Sequence, residues 1–202
     1  MTLHDNAYSA FMLDYATGVL SPAERLAADL HRALSVEGGQ HAGMLDAVGG
    51  ALLERTRPLA PEDFDASQLG AQDAGSCTSS RLDPFIRGDL LALKWRKDIF
   101  GVKTLPTGTP MASLLRLDPG ETAPAHHHGR RDVTVVLAGT YADEFGQYER
   151  GDIAFAEPGM RHKPRAVGDR TCVCLLATES GKPLSGLLGL FGWGAARPRA
   201  VQ

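Results

Sequence analysis

The sequence predicts an α+β chain, an N-terminal three- to four-helix bundle followed by a C-terminal antiparallel β-barrel. Three observations predict it. Apolar residues recur with a 3.6-residue period through the first 55 residues. From Arg57 to about Ser80 the composition turns to Pro, Asp, Gln, Ser and Gly, as in a connecting segment. Beyond Phe85, short β-type runs alternate with Gly, Pro and Asp at intervals of roughly ten residues. The expected units are a helical domain at 1–56, a linker at 57–84, the barrel at 85–192 and a tail at 193–202.

The first helix carries its stripe on Tyr8, Phe11, Met12, Tyr15 and Val19, with Gly18 closing it. The second opens at Ser21-Pro22-Ala23-Glu24, where Ser caps, Pro takes the first helical position and Glu reaches back to the cap. Its stripe is Leu26, Ala27, Leu30, Ala33 and Leu34, and Gly38-Gly39 is expected to break it. The third presents Met44, Leu45, Val48, Leu52 and Leu53 before Pro58. Helices this short form a thin bundle, better with a partner to cover it. Expected strands are Leu91–Trp95, Gly101–Leu105, Met111–Leu117, Asp132–Leu137, Ile153–Phe155 and Thr171–Leu176. Cys172 and Cys174 then share a strand face and read as small buried hydrophobes before a redox pair. Trp95 and Trp193 read as packing residues.

Composition excludes several classes. Hydrophobic residues at 43% and charged ones at 22% rule out collagenous and wholly disordered chains. Three cysteines are too few for a disulfide framework and fit a reducing compartment. No signal-like start and no long apolar run is present, so a cytoplasmic protein with no membrane span is expected. Residues 1–91 hold 13 Asp+Glu against 6 Lys+Arg, while residues 92–202 hold 11 against 15. An acidic helical half repels nucleic acid and suits a basic protein partner.

The chemistry concentrates in Gly120-Glu-Thr-Ala-Pro-Ala-His126-His127-His128-Gly-Arg-Arg-Asp132, with Gly139 after it, and in Gly151 through Pro158-Gly159 to His162. Strand alternation puts His126 and His128 on one face and turns His127 away. Asp132 opens the next apolar strand, and His162 follows a Pro-Gly turn. Three imidazoles and a carboxylate suit one divalent first-row ion, with Zn2+ or Fe2+ ahead of Mg2+ or Ca2+. The expected metal residues are therefore His126, His128, Asp132 and His162. Asp is one methylene shorter than Glu, a retraction of roughly 1.3–1.5 Å against metal–oxygen bonds of ~2.0–2.2 Å. Either the strand shifts inward or a water completes the shell.

These spacings match the two cupin motifs, with Asp132 where cupins usually carry Glu and one extra residue before the second motif's proline. The barrel is thus expected to be of the cupin (double-stranded β-helix) type. Leu137 to Asp152, His162-Lys-Pro164 and Cys172-Val-Cys174 resemble the ChrR-type cupin anti-sigma factors. So do Leu13-Asp-Tyr-Ala-Thr-Gly-Val-Leu-Ser-Pro22 and Ala47-Val-Gly-Gly-Ala-Leu-Leu-Glu54. The resemblance implies a helical domain that clamps an extracytoplasmic-function sigma factor, and a zinc-binding cupin that responds to oxidative or small-molecule stress. It implies the four cupin ligands at the same four positions.

The helical half departs from the pattern. Zinc-type anti-sigma domains carry His and His-x3-Cys-x2-Cys; here His4 and His31 match, but Ser35 and Gly38 replace the cysteines, so a thiolate site cannot form. One metal per chain is expected, His41 being at most a stray ligand. His31 reads as a helix-end residue favoured by the dipole. Two alternatives stand beside the regulator: a metal-dependent cupin dioxygenase, for which Tyr141, Tyr148, Arg130 and Arg131 are the available groups, and a ligand-binding cupin that no longer binds a sigma factor and whose helices serve a homodimer.

Overall fold

A computed structural model describes residues 3–56, 78–97 and 101–179, with side chains from residue 6 in the first stretch and residue 81 in the second. The His4 side chain, Cys77, Trp193, most of the expected linker and the expected tail lie outside the described residues. Among the described residues, helices α1 (Leu3–Thr17), α2 (Pro22–Leu34), α3 (Val36–Arg55) and α4 (Thr78–Ile86) precede eleven strands. The fold is the expected one, helices followed by an antiparallel cupin barrel.

Helix α2 begins on the expected capping box. The Ser21 side chain accepts from the Glu24 amide, and the Glu24 carboxylate accepts from the Ser21 amide. The break between α2 and α3 falls at Ser35 rather than Gly38-Gly39. Ser35 is extended (φ −106°, ψ 132°) and its hydroxyl accepts from the Gly38 amide, so one residue ends α2 and caps α3. Gly38 is helical, and its lack of a side chain makes room for His31, since a Cβ there would lie 2.6 Å from that ring.

Helix α4 starts inside the segment read as linker. The expected strand Leu91–Trp95 is instead a 3-10 turn, Leu90–Ala92, capped by Asp89, which accepts from the Leu91 and Ala92 amides. Trp95 closes over it, donating from Nε1 to the Leu90 carbonyl at 3.0 Å.

Strands β1 (Arg96–Lys97), β2 (Lys103–Pro106), β3 (Ala112–Leu117), β5 (Asp132–Ala138), β8 (Ile153–Ala156) and β11 (Cys172–Thr178) form a six-stranded sheet in the order β1-β2-β3-β11-β5-β8. Strands β10 (Arg165–Ala166), β6 (Tyr141–Ala142) and β7 (Gln147–Tyr148) form a second sheet, and β4 (His126–His127) with β9 (Arg161–His162) a third. All pairings are antiparallel.

The central strands of the large sheet are buried on both faces, which is why β5 and β11 read as near-continuous apolar runs. Val133, Val135, Leu137, Phe155, Val173 and Leu175 pack with Phe11, Met12, Ala27 and Leu30 of the helices. The opposite face, with Leu115, Leu117, Val136, Cys172 and Cys174, lines the barrel together with Tyr141. The two thiols share that face as expected, their sulfurs 3.5 Å apart. The thin helical unit thus finds its cover in the barrel's own outer sheet.

Candidate metal centre

Strands β4 and β9 pair with His126 directly opposite His162. His128 lies just beyond β4, held by two further backbone bonds, its amide donating to the Met160 carbonyl (3.0 Å) and its carbonyl accepting from the Gly159 amide (2.7 Å). The Pro158-Gly159 turn therefore carries His162 back beside both motif histidines. All three imidazoles are buried, while His127 is exposed. Their Nε2 atoms converge, with His128 to His162 at 2.8 Å and His162 to His126 at 2.9 Å.

The opposite ring edges explain what this convergence means. His126 Nδ1 faces the Pro124 carbonyl at 2.9 Å, His128 Nδ1 faces Asp132 Oδ2 at 2.6 Å, and His162 Nδ1 faces Asp143 Oδ2 at 2.9 Å. A carbonyl and two carboxylates only accept, so each Nδ1 donates to its partner, which turns each Nε2 toward the other two rings. Burial first, then the neighbouring imidazoles, push the His126 pKa down to about 4, so this ring is neutral at pH 7. Ring nitrogens this close need a proton or a metal cation between them, because their bare lone pairs repel. The donor set therefore fits a first-row dication, and the Nδ1 partners are the groups that orient metal-bound histidines.

Asp132 is brought to the cluster, but behind His128. Its Oδ1 is buried without a hydrogen-bond partner among the described residues. Among those residues, only His126, His128 and His162 have donor atoms that all lie within 4.8 Å of one another.

Asp143 is the residue that sequence reasoning missed. Its Oδ1 accepts from the Phe145 and Gly146 amides, and its Oδ2 holds His162 and accepts from the Tyr141 hydroxyl at 3.2 Å. Burial alone pushes its carboxyl up, but the His162 ring and the Phe145 amide outweigh it and leave it below the usual range. An Asp three residues before a Gly is legible as a turn residue. Its contact with a histidine 19 positions on is not.

Two of the groups offered for an enzyme, Tyr141 and Arg131, are otherwise engaged. Burial first, then the Asp143 charge, raise the Tyr141 hydroxyl far above its ordinary pKa, so it is not a base. Arg131 turns to the helices, where it pairs with Glu24 at 2.6 Å and lies 5.8 Å over the Phe11 ring. His31 differs from its expectation. It is buried, its Nδ1 donating to the Gly151 carbonyl (2.7 Å) and its Nε2 accepting from the Tyr8 hydroxyl (3.1 Å). Burial pushes its pKa down, so it is a neutral bridge between α2 and the barrel and no dipole-favoured cation.

The family of the ChrR cupin-like domain matches residues 92–181. The anti-sigma-E factor ChrR of Cereibacter sphaeroides is 34% identical over 195 residues, spanning 89% of this chain and 92% of that one. The crystal structure of Rhodobacter sphaeroides SigE in complex with the anti-sigma ChrR superimposes with a TM-score of 0.67 at 34% identity, over 85% of this chain and 96% of that one.

Proposed function

The chain belongs to the ChrR family of anti-sigma factors, and we propose that it sequesters an extracytoplasmic-function sigma factor through its N-terminal helices. In this reading residues 1–56 clamp the sigma factor, residues 85–192 form a metal-binding sensor for oxidative or small-molecule stress, 57–84 connect them and 193–202 trail. It acts on a protein, without direct nucleic-acid contact. A cytoplasmic location follows from the reading, since the sigma factor acts on core polymerase there. No helix among the described residues is long and apolar enough to cross a membrane.

The observation that carries the clamp, beside family membership, is an apolar surface on the helices with nothing over it among the described residues. Of the third stripe only Leu45 packs inward; Met44, Val48, Leu52 and Leu53 are exposed, as are Leu13, Val19 and Val36. Helices α1 and α2 pack on the barrel, and most of these exposed residues stand on α3, which offers them to a partner.

For the sensor, His126, His128 and His162 would hold one dication, zinc ahead of iron or manganese, with Asp132, the fourth metal residue expected from the sequence, seated on the far edge of the His128 ring. Bound there, the ion would cross-link β4, β9 and the turn after β4 and supply Lewis acidity. The centre has a short route to the helices. Asp132, on His128, follows Arg131 in sequence, and Arg131 pairs with Glu24 of α2 and approaches Asp14 of α1.

Co-expression with the cognate sigma factor tests the clamp. The wild-type chain is expected to retain the sigma factor through purification. Leu52→Asp, on an exposed position, is expected to weaken retention at least ~10-fold, the cost of a charge in an interface core, with unfolding stability unchanged. A folded wild-type chain that retains no sigma factor, and sediments as a homodimer through the same helices, contradicts it.

A further inference from the structure

We infer that the metal centre of this chain has three protein ligands and an open coordination position that takes an exchangeable, small monodentate donor, because Asp132 positions His128 and does not reach the ion. The inference rests on reading the histidine cluster as a metal site.

The first observation is which edge of His128 the carboxylate meets. Asp132 Oδ2 is 2.6 Å from Nδ1, while Nε2 faces the other imidazoles. The two ring nitrogens lie on opposite edges, so a carboxylate seated on one is directed away from an ion bound at the other. The second is that Asp132 cannot advance easily. It opens β5 and is in register with Ala156 on one side and Thr178 on the other, so an inward shift disrupts two ladders. The third is that no other carboxylate substitutes. Asp143 stands behind His162 as Asp132 stands behind His128, and among the described residues no acidic oxygen joins the converging donors.

Three imidazoles are one ligand short of the tetrahedral set that closes a structural zinc site; three protein ligands leave a place for water or an added ligand. The donor that fits is small and monodentate, since the cluster is buried. Asp132 is then a positioning residue that fixes the His128 tautomer and raises its basicity.

Cobalt substitution of the full chain, with azide as the added ligand, tests this. One equivalent of Co2+ is expected to bind, and its visible bands are expected to shift saturably with azide. Asp132→Ala is expected to keep that response while weakening Co2+ binding about 10–100-fold. A full equivalent of Co2+ with bands indifferent to azide in the wild-type chain overturns the inference, as does a response that appears only in Asp132→Ala. Failure to bind Co2+ or Zn2+ at all sinks the metal-site reading itself, a distinct result.

Discussion

Each of the three histidines in the cluster is fixed by a different acceptor, and two of those acceptors are carboxylates. Asp143→Ala removes the group that orients His162 and is expected to weaken metal binding about 10–100-fold, read by competition with a chelator. The histidines themselves were legible, because strand alternation and fixed spacing are local properties. Their Nδ1 partners were less so, since Asp143 reaches His162 only once two turns have closed. His31 shows the same limit: its spacing suggested a charged helix end, but its barrel partner, Gly151, is 120 positions away. Burial holds the folded His31 pKa below 6.5, while the unfolded chain takes up its proton near that value. Below pH 6.5 the unfolded state therefore binds more protons, and stability falls with pH until the folded pKa is passed. His31→Gln is expected to flatten this contribution, giving a shallower loss of denaturation midpoint between pH 7 and 5 than the wild-type chain shows.

At the scale of elements, termini were easier to read than breaks. The Ser21 box was visible because cap and reciprocal Glu are three residues apart. Gly38-Gly39 looked like a break, yet Gly38 serves a packing need that only the folded His31 ring creates. Leu91–Trp95 looked like a strand because its residues are apolar, whereas Asp89 captures two amides and winds it into a 3-10 turn. The turn before β8 meets the end of α2 at Gly151, where φ is +97° and an added Cβ would lie 2.8 Å from the Leu34 carbonyl. Gly151→Ala is expected to cost about 1–3 kcal/mol, measured by chemical denaturation, through backbone strain and separation of helix from barrel.

Across the whole molecule, the sequence suggested two units of opposite charge joined by a linker, whereas helices and barrel share one hydrophobic cluster. That union was hidden because a strand buried on both faces and one buried among strands alone have the same apolar composition. Its consequence is mechanical: Phe11 meets Phe155 at 5.3 Å between ring centroids, and Arg131, just before β5, pairs with Glu24 of α2. The histidine cluster and the helices whose outer faces stay exposed are thereby joined by one continuous set of packed and ion-paired contacts. Native mass spectrometry of the full chain purified with its sigma factor tests this most directly. The account predicts one chain, one sigma factor and one first-row metal ion, with the ion absent from His126→Ala. A complex without metal, two ions per chain, or an unchanged ion in His126→Ala would contradict it.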